Sequence, residues 1–150
     1  MGFPHLQVPS IILPGVWSVG TETETVADLL EHTSIELDVE ELQEKCVQIV
    51  ATEAVAAGVP GNLWAWIELS PYVTTTSGSY WAAIGGGGGA LAPTAPLIIV
   101  GTGVNLTPHS FFLPWVAHSL FARLVIQTPV AAGLPGAFWV VQAIFSGKGV

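Results

Sequence analysis

The chain has 150 residues and a mass of 15.7 kDa, enough for one domain that buries about two thirds of its unfolded surface. Apolar residues make up 51% of it, charged residues 9%, and the net charge at pH 7 is −8. That balance excludes a disordered chain, which would be polar and highly charged. It also argues against nucleic acid as a partner, since phosphate contacts need a basic patch.

The charge is unevenly spread. All 11 acidic residues lie between Glu22 and Glu68, opposed only by Lys45; Arg123 and Lys148 are the remaining charged side chains. Residues 69–122 carry no Asp, Glu, Lys or Arg, a length that could cross a bilayer. Gly85 to Gly89 and Pro93, Pro96, Pro108 and Pro114 interrupt that stretch, however. A spanning helix needs about 20 consecutive, mostly apolar residues with every backbone group satisfied internally. No membrane partner is expected.

In chain order, the opening MGFPHLQVPSIILPG has no basic region and three prolines, so it makes a poor signal peptide. Leu6 stands where a myristoylation signal would carry Ser or Thr. Synthesis and retention in a cytoplasm are expected, unless the protein leaves inside an assembly. Residues 1–20 read as an extended N-terminal arm or as part of a sheet, and 1–150 as a single domain. VWSVGTETETV alternates Thr with Glu, the pattern of a solvated β-edge. SIELDVEEL places Ile35, Leu37 and Val39 on one face and Glu36, Asp38 and Glu40 on the other. The overlapping DVEELQEK reads as strand, or alternatively as a short helix or turn.

CVQIVA follows, with Val47, Ile49 and Ala51 at a period of two. The lone Cys46 permits no intrachain disulfide and reads as a small buried hydrophobe. SGSYWAAI and PLIIVG are short apolar strands bounded by Gly and Pro. Between them, the run of five glycines lacks the following helix and nearby Lys of a phosphate-binding loop and reads as a surface or closely packed loop.

The chain contains a repeat. At an offset of 75, CVQIVATEAVAAGVPGNLWAWIELS lies over FARLVIQTPVAAGLPGAFWVVQAIF without a gap. Identities fall at Val50/Val125, Val55/Val130, Ala56/Ala131, Ala57/Ala132, Gly58/Gly133, Pro60/Pro135, Gly61/Gly136 and Trp64/Trp139. Val47, Ile49 and Ala51 match Ala122, Leu124 and Ile126; Leu63, Ala65, Ile67 and Leu69 match Phe138, Val140, Gln142 and Ile144. Each copy reads as strand, loop, strand, joined by AAG-x-PG as in a hairpin with a longer loop. Roughly eight short strands without helical periodicity predict an all-β, jelly-roll-like antiparallel β-sandwich with an internal two-fold repeat.

No reaction is indicated. His5, His32, His109 and His118 are single and lack metal-ligand spacing; His32, near two carboxylates, reads as a satisfied or solvated side chain. Glu36, Asp38 and Glu40 could hold Ca²⁺ from one strand face, but calcium wants six to eight oxygens from a curved loop. Glu53 and Glu68 flank the first loop and could face each other as a glycosidase pair, yet Thr128 and Ala143 replace them in the second copy. No GxSxG or Ser/His/Asp grouping is present. Asn105-Leu106-Thr107 matches a glycosylation acceptor. No catalytic, cofactor or metal residues are expected.

Aromatic residues carry the remaining signal. Trp64, Trp66, Trp81, Trp115 and Trp139 are candidate interface residues, since Trp is enriched at interfaces where Lys, Glu and Asp are depleted. Core packing between two sheets is the competing use. SYWAAIGGGGGALAPTAPLIIVGTG and FARLVIQTPVAAGLPGAFWVVQAIFSGKG together resemble, in composition, the small jelly-roll proteins that decorate or cement tailed-phage heads. The resemblance implies a non-enzymatic, acidic virion protein made in the host cytoplasm. Such a protein forms a cyclic homo-oligomer, often a trimer, on a major capsid protein lattice. The alternative is a carbohydrate-binding β-sandwich stacking sugars on Trp64, Trp66 and Trp81.

Overall fold

A computed structural model describes residues 23–54, 60–71, 81–84, 96–103, 108–128 and 137–149, together with the backbone of 7–12. Among these there is no helix, hence none long and apolar enough to cross a membrane. The strands are β1 (Gln7–Ile12), β2 (Glu24–Val26), β3 (His32–Thr33), β4 (Leu37–Asp38), β5 (Leu42–Ala54) and β6 (Leu63–Ser70). They continue with β7 (Ala82–Ala83), β8 (Leu97–Ile99), β9 (Pro108–Trp115), β10 (Phe121–Gln127) and β11 (Phe138–Gly149). The fold is all-β, and every pairing is antiparallel.

Two sheets form. In the first, the order is β1-β11-β5-β9, with β2 also on β11. β1 pairs residues 144–148 of β11 and β2 pairs 139–141, so the two short strands lie end to end along one edge. In the second, the order is β3-β10-β6-β7. There β3 and β4 share one edge of β10, while β7 and β8 share one edge of β6. Each sheet is therefore four rows wide.

The core follows from alternation. Val47, Ile49 and Ala51 of β5 and Trp139, Val141, Ala143 and Phe145 of β11 point inward from the first sheet. Leu63, Ala65 and Ile67 of β6 and Ala122, Leu124 and Ile126 of β10 meet them from the second. Burying one such Val, Leu, Ile or Phe contributes about 1.5–3 kcal/mol, so this layer dominates the stability. Leu37 and Val39 join the same core, and Asp38 and Glu40 are exposed, as the period of two in SIELDVEEL requires. DVEELQEK resolves into a turn followed by strand. Leu42 N–H donates to Val39 O at 3.0 Å and Glu40 N–H to Asp38 Oδ1 at 3.3 Å, closing the turn that starts β5.

The repeated unit is not a hairpin. β5 and β6 belong to different sheets, as do β10 and β11, so each copy carries the chain across the sandwich. The copies meet pairwise: β5 lies beside β11 and β6 beside β10. A crossing explains the length of AAG-x-PG better than a return within one sheet. Gly58, Gly133 and most of those connections lie outside the described residues, as do the five glycines and Asn105. Of the stretch 1–20, Gln7–Ile12 is a strand on the sheet edge, and the rest is also outside.

The second copy departs from the expected face. Trp139, Val141, Ala143 and Phe145 are buried, whereas Phe138, Val140, Gln142 and Ile144 are half-buried on the outer side. Gln142 would have placed an amide in the core; choosing the odd-numbered residues leaves that face wholly apolar. TETETV also differs from a solvated edge, because Glu24 and Val26 point inward while Thr25 stays exposed.

Candidate functional site

Three of the five tryptophans singled out above sit together. Leu63, Ala65 and Ile67 of β6 face the core, so Trp64, Trp66 and Glu68 occupy the outer face of the second sheet. Cross-strand pairing sets Trp64 beside Gln127 and Ile98, Trp66 beside Val125, and Glu68 beside Arg123 and Ala83. Arg123 Nη2 is 2.6 Å from Glu68 Oε2, and its Nε donates to the same oxygen at 2.8 Å. The guanidinium lies 4.4 Å from the centre of the Trp81 ring, a cation–π arrangement that orients both groups. Trp66 Nε1 donates to Glu68 Oε1 at 3.4 Å, which leaves that carboxylate engaged on both oxygens.

Access to this face is uneven. Trp64 and Trp81 are half-buried, Trp66 is only 4% exposed, and Ile98 is exposed. Leu29 and Leu30, distant in sequence, are also exposed, and Gln127 Nε2 donates to Leu29 O at 2.9 Å. Glu31 is also influenced by this cluster. Burial and the like charge of Glu68 raise its pKa against the opposing pull of Arg123.

Trp115 and Trp139 are not on the outer sheet face with the other three; Trp115 instead lines the floor of the groove described below. Both belong to the core, 6% and 0% exposed, because their strands turn the odd-numbered side chains inward. Trp139 Nε1 donates to Gly61 O at 2.7 Å, and Trp115 packs against Phe145 at 6.0 Å. Both therefore spend their ring surface on core packing within the chain.

Glu53 and Glu68 do not face each other either. Glu53 ends the inward series Val47, Ile49, Ala51 on the first sheet, whereas Glu68 points outward from the second. The wholly buried Glu53 carboxylate accepts from Thr102 N–H at 2.6 Å and from Thr102 Oγ1 at 3.0 Å. His109 Nε2 stands 3.3 Å from it, with the imidazole edge-on to Trp139 at 5.9 Å. This polar knot fixes the segment after β8 to the sandwich. Its position was readable from the period of two; its partners, Thr102 beyond β8 and His109 on β9, were not.

At the other end of β5 a groove of about 610 Å³ opens between β9 and β11. Cys46, Pro114, Val116 and Lys148 are among its lining residues. Cys46 is half-buried rather than buried, and burial raises its thiol pKa. Lys45 lies in the same region, 3% exposed, with Nζ donating to Leu42 O at 2.9 Å and Ala117 O at 3.1 Å. Composition alone did not announce a buried lysine.

Among the described residues no group of three His, Cys, Asp or Glu could hold a metal ion. No protein-family model matches the chain, and neither a curated protein nor a solved structure does.

Proposed function

We propose that this chain is a non-enzymatic structural subunit that works as a cyclic homo-oligomer, a trimer by the phage resemblance. In this reading it is a virion component made in the host cytoplasm that decorates or stabilises a capsid built by a major capsid protein. The observation that carries the reading is apolar surface in the wrong place for a lone globule. Phe112 is 66% exposed and Val116 71% exposed beside the first sheet, while Ile98, Val100, Leu29 and Leu30 are exposed elsewhere. Exposed apolar side chains such as these are what contact with a partner would cover. Two four-row sheets joined by chain crossings also support a jelly-roll reading, a fold common among capsid proteins. The native mass at micromolar concentration tests it: an oligomer supports the proposal, and a clean monomer that ignores capsids overturns it.

A second reading is favoured by one observation. Trp64 and Trp81 share an outer sheet face with Gln127 and the Arg123–Glu68 pair, stacking surface beside hydrogen-bonding groups, which is what a glycan platform needs. A monomer whose tryptophan fluorescence shifts with added polysaccharide would establish this function in place of the first.

A further inference from the structure

We propose that Glu24, His32 and Asp28 form a proton-dependent latch that ties the two sheets together and holds the loop between β2 and β3 in place. His32 Nδ1 is 2.7 Å from Glu24 Oε1, and His32 Nε2 is 2.8 Å from Asp28 Oδ1. Carboxylates only accept, so both ring nitrogens must carry a proton for both bonds to form. A neutral imidazole has one N–H and can make only one of them. With both carboxyls ionised, the arrangement therefore requires the imidazolium.

Position gives the latch its reach. Glu24 is on β2, which pairs β11 of the first sheet; His32 is on β3, which pairs β10 of the second. Asp28 lies between them and also accepts Leu30 N–H at 3.0 Å. Proton loss from His32 thus loosens an inter-sheet tie and the loop bearing the exposed Leu29 and Leu30. Opposite His32 on β10 stands Ile126, which carries no charge, so Glu24 and Asp28 are the charged groups bonded to the ring. Glu31, next in sequence, is influenced instead by Glu68 and Arg123.

The electrostatics agree in direction. Burial works against a charged ring, but the hydrogen bonds it donates to Asp28 and Glu24 outweigh it and hold the His32 pKa above its ordinary value. Asp28 is held below the usual range, chiefly by its hydrogen bond from His32. The latch is therefore closed below the ordinary histidine pKa of about 6.5 and opens as pH rises through the elevated one. At the acid end it fails as pH falls through the depressed Asp28 value.

The test is nitrogen-detected NMR of the His32 ring, together with amide exchange of residues 28–31 corrected for intrinsic rates. Both ring nitrogens should be protonated at pH 6. Loop protection should fall about three- to tenfold with the same midpoint as the ring, a modest change because Asp28 is half exposed. Asp28→Asn should move the midpoint to lower pH, and His32→Gln should leave protection independent of pH. A singly protonated ring at pH 6, flat loop protection across the ring's titration, or an unmoved midpoint in D28N overturns the latch. The wild-type titration and D28N decide the matter even should H32Q fail to fold.

Discussion

Trp64 and Trp139 hold equivalent places in the two sequence copies and opposite places in the sandwich. Trp139 is wholly buried in the core, opposite Glu53 on β5; Trp64 lies on the outer face of the second sheet, opposite Gln127 on β10. The counterpart of Glu53 is Thr128, so Trp64 pairs one residue away from the equivalent position. One step of register turns a strand's side chains to its other face. The two similar sequence stretches thus supply a core tryptophan in one case and an outer-face tryptophan in the other.

Ile98 and Ile99 provide a direct separation of assembly from folding. Ile99 is 0% exposed and Ile98 46% exposed on the face shared with Trp64. Ile99→Lys should destabilise by more than about 4 kcal/mol, since it buries an unpaired charge. Ile98→Lys should leave the melting temperature within a degree or two and reduce the oligomeric mass if that face mediates contact. Thermal melts with native mass spectrometry read both effects; a full-sized oligomer in I98K would place the contact elsewhere.

Lys45 should prove a cost at neutral pH. Its ammonium is buried on two carbonyl oxygens, and burial lowers its pKa below 10.5. The folded state binds fewer protons than the unfolded one between the depressed and ordinary values, so stability rises with pH across that interval. Lys45→Met should raise stability at pH 7 by roughly 1–4 kcal/mol, with the gain shrinking towards pH 10. Urea unfolding at pH 7 and pH 10 measures this. A less stable variant at pH 7 would show that the two carbonyl bonds outweigh desolvation.

Thr102→Val should act on the core from an exposed position, because the Thr102 hydroxyl reaches the wholly buried Glu53. It removes the hydroxyl donor to buried Glu53 and keeps the backbone donor, at an expected cost of about 1–3 kcal/mol. Hydrogen exchange over residues 96–103 should rise together with the global destabilisation. Unchanged stability would mean that the remaining partners of Glu53 suffice.

Gly147 and Leu42 are coupled sterically. A Cβ on Gly147 would come 2.5 Å from Leu42 Cδ1 and 3.4 Å from Cγ. Gly147→Ala should therefore cost about 1–3 kcal/mol by overpacking. Leu42→Ala carries its own cavity cost, so the relief appears as a favourable coupling energy in the double-mutant cycle. Additive effects would show that Leu42 moves aside freely.

Much of the fold was legible because alternation is local. Val47, Ile49 and Ala51, and their counterparts Ala122, Leu124 and Ile126, are buried as their spacing requires. The sheet assignment was not legible: a Gly-Pro-Gly connection reads the same whether the chain returns within a sheet or crosses to another. Nor was the choice of face on β11, where Phe138, Val140 and Ile144 compete with Trp139, Val141 and Phe145 on nearly equal hydrophobicity. Gln142 against Ala143 decides it. The Arg123–Glu68–Trp81 cluster joins residues from three separated stretches, and only tertiary pairing brings them together. Glu24 illustrates the limit of composition, since a carboxylate in a Thr/Glu run looks solvated until a histidine eight residues later claims it.

The long ladder between β5 and β11 bears on how the polypeptide acquires its shape. It joins residues 42–54 to residues 138–149, so a nascent chain emerging from the ribosome holds β5 without its central neighbour until residues 138–149 have been made. Closing so large a loop is slow, and the waiting strands expose their greasy faces meanwhile. Truncation before residue 138 should therefore yield aggregates rather than a smaller stable body, and chaperone demand should peak before β11 appears.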